Sequence, residues 1–427
     1  MSKILLKDGT LFLHKAEAMQ RGDVLIDNGR IAQVGGNIPA NDARVHDLGG
    51  KVVSPGFIDL QTHICEHWQD VEPAIQAATL AAVKGGFTTL CAMPDTNPPL
   101  DNEGMIRLII SLAESKGFAR VLPSASATKG LEGKILSEIG TLVQAGAALI
   151  YDSDKTITNA KLLRRLMEYS KMFTVPLFVH CEDPDLAAAG VMHEGFTSMR
   201  LGLPGIPSVA ETVMVQRDLA LASYTDASVH VTHVSTRESV EAIRLAKKRG
   251  VRVTCSVTPH HLDLTDRDIK QFDADFKVSP PLRGEEDRQA ILEGFKDGTL
   301  DCIATDHRGG SSSDHTVHFH EAPFGFTSLE TCFQVGYNRL VLEKYLTLPE
   351  FLHCLTRRPA EILHREDLGI LRIGAVADIT IMDIHTQQTI TEAFLDSGTY
   401  RTPFIGRTFG SKIEMCFVGG VLAYAAG

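Results

Sequence analysis

Between residues 56 and 306, short apolar, β-rich runs alternate with longer stretches in which apolar positions recur every three or four residues. The runs fall at 56–61, 87–93, 121–126, 147–152, 175–180, 228–233, 251–258 and 300–306, and amphipathic helices are predicted at 159–172 and 236–248. Strands that read as near-continuous apolar runs and alternate with helices indicate a parallel sheet buried on both faces. Eight such units predict a (β/α)8 barrel of the TIM type, with a doubly wound open sheet as the alternative. Outside this block the texture changes. Val24-Leu25-Ile26, the tight turn Asn28-Gly29 and Ile31 read as a hairpin, and similar short strands recur over 377–383 and 413–422. Residues 1–54 and 371–427 are therefore expected to pair into a small composite β-sandwich, with the barrel spanning 55–370.

Several runs end in residues able to bind a metal or a substrate: His63, Asp152, His180, His233, His260 and Asp306. Barrel enzymes build their sites from the C-terminal ends of the strands, which is where these side chains fall. Imidazole and carboxylate are the usual ligands of a hydrolytic zinc, and a catalytic site needs about three of them with one position open. His63, His180, His233 and Asp306 form that inventory. Asp306 is the candidate catalytic residue, a carboxylate able to take a proton from water and return it to a leaving nitrogen.

Composition narrows the classes. The 427 residues are 44% hydrophobic and 22% charged, with no apolar stretch long enough to span a membrane. A net charge of -11 makes nucleic acid a poor partner. The eight cysteines are scattered, with no Cys-x-x-Cys pair, so neither a disulfide framework nor a thiolate zinc knuckle is expected. The opening Met1-Ser2-Lys3-Ile4-Leu5-Leu6-Lys7 lacks the features of a secretory signal, and a cytoplasmic location is expected.

The run Pro55-Gly56-Phe57-Ile58-Asp59-Leu60-Gln61-Thr62-His63 resembles the opening of the amidohydrolase superfamily, in which Pro-Gly-Phe-Ile-Asp leads to a His-x-His metal pair. His180-Cys181-Glu182-Asp183, His233-Val234-Ser235-Thr236, Thr258-Pro259-His260-His261-Leu262, Pro280-Pro281-Leu282-Arg283, Thr305-Asp306-His307 and Glu321-Ala322-Pro323-Phe324-Gly325 are similar, in order and spacing, to dihydroorotases of the long bacterial type. The resemblance implies zinc, a homo-oligomer and the interconversion of carbamoyl-aspartate and dihydroorotate in pyrimidine synthesis. Inactive relatives in this family act as partners of aspartate transcarbamoylase, so that partner is implied as well.

Position by position, the family site is altered here. Gln61 stands for the first histidine of the pair, and Ser153 for the carboxylate that bridges two metals, if Ile150-Tyr151-Asp152-Ser153-Asp154 is aligned without a gap. Asp152 or Asp154 could substitute only if the strand end shifts by one residue. The family's substrate contacts fall on Cys65, Asp95, Ser279 and Gly310, with Phe324 and Gly325 beside them. A cationic clamp has thus become neutral or negative. Arg308, His315, His318 and His320 could supply a new cation, although solvated loop residues are the expected reading. A displaced His63-x-Cys65 pair is a further alternative, and Glu66 and His67 read as rim residues. The residues imply at most one zinc. They leave two functions: a dihydroorotase-like protein with an impaired or lost reaction that serves as a partner, or a mononuclear amidohydrolase opening a different cyclic amide.

Overall fold

Eight parallel strands form the centre of the molecule: β1 Phe57–His63, β2 Phe87–Ala92, β3 Arg120–Ser126, β4 Leu149–Tyr151, β5 Leu177–Val179, β6 Val229–Val231, β7 Val253–Val257 and β8 Cys302–Ile303. They pair in chain order, and each lies within two or three residues of a run expected from the sequence. The eighth run closes the ring by serving both neighbours. Cys302 and Ile303 pair with Ser256 and Val257 of β7, while His307 and Arg308 pair with Thr62 and His63 of β1. Between the two segments Asp306 takes a positive φ of 50° and breaks the strand. The computed structural model describes residues 3–13, 19–64, 70–309, 318–395 and 401–426.

The helices form where capping and periodicity agree. Ala160–Ser170 starts at Asn159, whose side chain accepts from the backbone of Lys161 and Leu162, and it buries Leu163, Leu166 and Met167. Arg237–Lys248 starts at Thr236, which accepts from Ser239 N, and it buries Val240, Ile243 and Ala246. These apolar faces join one continuous core with Val179, Val229, Val231 and Val257. A second cluster, including Ile58, Leu60, Tyr151, Phe178 and Cys302, continues to Ile362 and Leu363 at the strand starts. The seven described cysteines are free and buried.

The two ends of the chain share an eight-stranded sheet. Val52–Pro55 pairs antiparallel with Ile379–Asp383, placing a C-terminal strand beside the N-terminal ones. Asn28-Gly29 turns the hairpin between Gln20–Asp27 and Arg30–Val34 with positive φ at both residues, as the primed two-residue turns require. Ion pairing of Arg120 with Asp378, and a hydrogen bond from Thr380 Oγ1 to Gly86 O, fasten this sheet to the barrel. No helix among the described residues is long and apolar enough to cross a membrane.

Candidate metal centre

The sequence-derived residues converge at the C-terminal mouth of the barrel. His180 follows β5 and His233 follows β6, and their rings meet with Nδ1 of the first 3.3 Å from Nε2 of the second. His63 ends β1, and its Nε2 lies 3.1 Å from Asp306 Oδ1. Asp154 stands between the pairs and belongs to two groups of possible ligands, Asp154–His180–His233 and His63–Asp154–Asp306. Within each group the ligand atoms all lie within 4.8 Å of one another.

The carboxylate shared by the two groups is thus Asp154, not a residue at the gap-free position, Ser153. The cause lies in the backbone. Ser153 adopts φ 57°, a left-handed conformation that breaks the alternation of side chains beyond β4. Asp152 is thereby committed to Thr128, accepting from its backbone N at 2.8 Å and its hydroxyl at 2.5 Å. Asp154 enters the centre, while the Ser153 hydroxyl is buried with no hydrogen-bond partner. Gln61 holds the place of the first histidine and donates from Nε2 to Asp306 Oδ1 at 3.0 Å.

Burial sets the protonation of the first group. It pushes His180 down to about 4 and His233 well below the usual imidazole range, with His180 adding to the effect at His233. Both rings are therefore neutral near pH 7, the form that binds a metal. Asp154 Oδ1 is buried without a hydrogen-bond partner and lies 3.9 Å from His233 Nε2. Two neutral imidazoles and an unpartnered carboxylate oxygen fit a divalent zinc.

His63 differs. Nδ1 lies 2.6 Å from Asp95 Oδ2 while Nε2 faces Asp306, so the ring has a carboxylate at each nitrogen. Burial and Arg308 push its pKa down, but Asp95 and Asp306 outweigh them and raise it. Burial also pushes Asp95 up, yet His63 and Arg308 hold its carboxyl well below the usual range. Asp306 is raised by burial, with His63 pulling in the opposite direction.

The remaining candidates divide. Asp95 enters the centre as the partner of His63. Arg308, expected as a solvated loop residue, instead pairs with Asp154 and reaches within 4.0 Å of Asp95. Ser279 is half-buried. Gly325 donates its N–H to Lys277 O, and Phe324 lies 4.7 Å from the Lys277 ammonium. His318 and His320 are exposed, as expected. His260 is buried against His261 and Phe326 and is not part of either ligand group. Cys65, Glu66, His67, Gly310 and His315 lie outside the described residues.

Sequence reasoning missed the support beneath His233, which takes φ 34°. Glu211, buried in the helix Val209–Thr225, accepts from the backbone of Ser235 and Thr236 and from their hydroxyls. Arg283 lies 3.5 Å from the same carboxylate and donates to Ser235 Oγ. The available signal was Glu211 itself, an acid among the apolar positions of a helix.

A dihydro-orotase-like family profile matches residues 50–239. A dihydroorotase of Geobacillus sp. (strain WCH70) is 40% identical over 425 residues, covering 99% of each chain. Another, of Syntrophus aciditrophicus (strain SB), is 41% identical over 425 residues with the same coverage. The chain belongs to the dihydroorotase family. Among solved structures, the L-hydantoinase (dihydropyrimidinase) from Arthrobacter aurescens superposes with a TM-score of 0.87 at 22% identity, covering 100% of this chain and 97% of the other. A D-hydantoinase gives 0.84 at 20% identity, with 98% and 95% covered. This likeness supports the amidohydrolase barrel fold.

Proposed function

We propose that this dihydroorotase-family protein is a hydrolase for cyclic amides that uses a single zinc and handles dihydroorotate poorly. The observation that carries the reading is the convergence of His180, His233 and Asp154, with the imidazoles neutral and Asp154 Oδ1 unpartnered. These three residues would hold the ion, which when bound polarises the amide carbonyl and acidifies water. The chain supplies the proton transfer. Asp306 Oδ1 is occupied by Gln61 and His63, leaving Oδ2 to take a proton from the attacking water and return it to the ring nitrogen. His63 orients that carboxylate from one side and Gln61 from the other.

Selectivity follows from charge. Asp95 brings a negative group to a position where the family holds a neutral asparagine against the substrate carboxylate. Each charged hydrogen bond lost from such a clamp costs about 1.5–3 kcal/mol, so loss of three, at Cys65, Asp95 and Gly310, reduces efficiency by several orders of magnitude. The test is turnover by the zinc-loaded chain of dihydroorotate against hydantoin and dihydrouracil, which lack the carboxylate. One bound zinc with turnover of the neutral rings is expected. Absence of bound metal, or dihydroorotate turned over more efficiently than either neutral ring, refutes the reading. The partnership with aspartate transcarbamoylase and self-association are separate proposals resting on the resemblance. Light scattering of the chain alone and mixed with that enzyme tests both.

A further inference from the structure

We propose that Arg308 is the second cation of this centre: its guanidinium takes the Oδ2 side of Asp154, so the carboxylate bridges one divalent ion and one arginine in place of two metals. The inference rests on the single-zinc reading above and identifies what fills the other half of the site.

Asp154 presents its oxygens to different partners. Oδ1 faces His233 and has no hydrogen-bond partner, whereas Oδ2 pairs with Arg308. A carboxylate held in this way is already bridging, with a cation on one side and an open ligand position on the other.

The donors of the other group are committed to one another. His63 meets Asp95 through Nδ1 at 2.6 Å and Asp306 through Nε2 at 3.1 Å. Gln61 directs its amide nitrogen at Asp306 Oδ1, the orientation that avoids setting two oxygens face to face. Where the family has an imidazole lone pair, Gln61 therefore turns an N–H toward Asp306 and keeps only its buried Oε1, a neutral amide oxygen that is a much weaker zinc ligand than imidazole.

Charge leads to the same result. Asp95 and Asp154 face the Arg308 guanidinium and Asp306 faces His63, and one divalent ion brings these groups to neutrality or beyond it, whether or not His63 carries its second proton. A second divalent ion would add uncompensated positive charge to a buried site, which is costly.

Arg308 is also built into place. Its backbone pairs in register with His63, its N–H donates to Phe326 O at 3.1 Å, and its side chain is only 21% exposed. The side chain passes where Gly325 has none: a Cβ there would run into Arg308 Cδ, and Gly325 has φ 95°. The guanidinium is thus held by backbone pairing, a glycine cradle and two carboxylates.

The test is zinc stoichiometry of the full-length chain after equilibrium dialysis, read by elemental mass spectrometry. One ion per chain is expected for the wild type and for Arg308→Lys, and two for the double variant Arg308→Ala with Gln61→His. Two ions in the wild type, or only one in a folded double variant, overturn this proposal and leave metal binding standing. No ion in the wild type overturns the proposed function and this inference together. If the double variant does not fold, Arg308→Gln decides. Its single ion should bind at least about tenfold tighter, because Asp154 no longer shares its charge with a guanidinium. Unchanged affinity overturns the proposal.

Discussion

Replacing Asp154 by asparagine tests whether the centre is built on that residue. The substitution keeps the size of the side chain, removes its charge and leaves Oδ1 as a weak amide ligand. Two interactions are lost: the ligand to the ion beside His180 and His233, and the pairing with Arg308. Asp154 and Arg308 are 28% and 21% exposed, so solvent screens the pair only in part. A hydrogen bond between charged groups at such a site is worth about 1.5–3 kcal/mol, and loss of a carboxylate ligand weakens metal binding at least as much. Zinc affinity, measured by competition with a chelating dye at pH 7.5, should therefore fall by about 10- to 150-fold. Ser153→Ala is the paired control. Its hydroxyl is buried without a partner, so removing it should leave zinc affinity within about threefold and stability unchanged or slightly raised. An Asp154→Asn protein that binds zinc as tightly as the wild type, or a Ser153→Ala protein that loses it, would refute the assignment of the bridging position.

Three further outcomes are expected. Glu211→Gln leaves Arg283 buried without its counter-charge and should destabilise the protein by about 3–5 kcal/mol in chemical denaturation, with weaker zinc binding through His233; a cost below about 1 kcal/mol would contradict the supporting role. Asp59 is raised to about 6, chiefly by burial and also by Asp306, while bonds from Thr62 and Thr305 work the other way. Its folded carboxyl holds a proton more tightly than the unfolded one, so this group's contribution is fully present below about pH 4 and lost as pH rises through 6. The decline in stability between pH 4 and 7 should accordingly be shallower in Asp59→Asn by on the order of 3 kcal/mol, and an identical slope in both proteins would count against it. Gly325→Ala forces a side chain into the path of Arg308 at positive φ and should cost about 1–3 kcal/mol in thermal or chemical unfolding, whereas a neutral result would mean that Arg308 is not held there.

The barrel was legible because a doubly covered parallel strand must be apolar along its whole length, and eight such runs are visible without tertiary information. The eighth was only half visible. Its closing segment, His307-Arg308, is polar, so the residue that pairs with His63 looked like the start of a loop. Four residues of the centre, His63, His180, His233 and Asp306, could be named because histidine and aspartate at strand ends carry their chemistry in their identity. Asp154 could be named only as an alternative, since the choice between it and Ser153 depends on one left-handed residue that a non-glycine sequence does not announce. Glu211 was hidden for a different reason: its partners, Arg283, Ser235 and Thr236, come from distant parts of the chain. The same holds for Asp95, which reads as a lost asparagine in isolation and as a counter-ion once His63 and Arg308 stand beside it.

The shared terminal sheet constrains how the protein is made. The strand Ile379–Asp383 lies in the interior of that sheet, between Val52–Pro55 and Lys412–Val418. Its far hairpin turn packs against the near one, with Gly420 occupying space beside Gly29 that admits no side chain. On the ribosome, the first fifty residues emerge long before the strand that covers their edge, while the barrel between them can assemble from neighbours in sequence. Until residues 379–383 emerge, that edge is exposed to pairing with other nascent chains, and a polypeptide truncated before residue 379 would carry the hazard permanently.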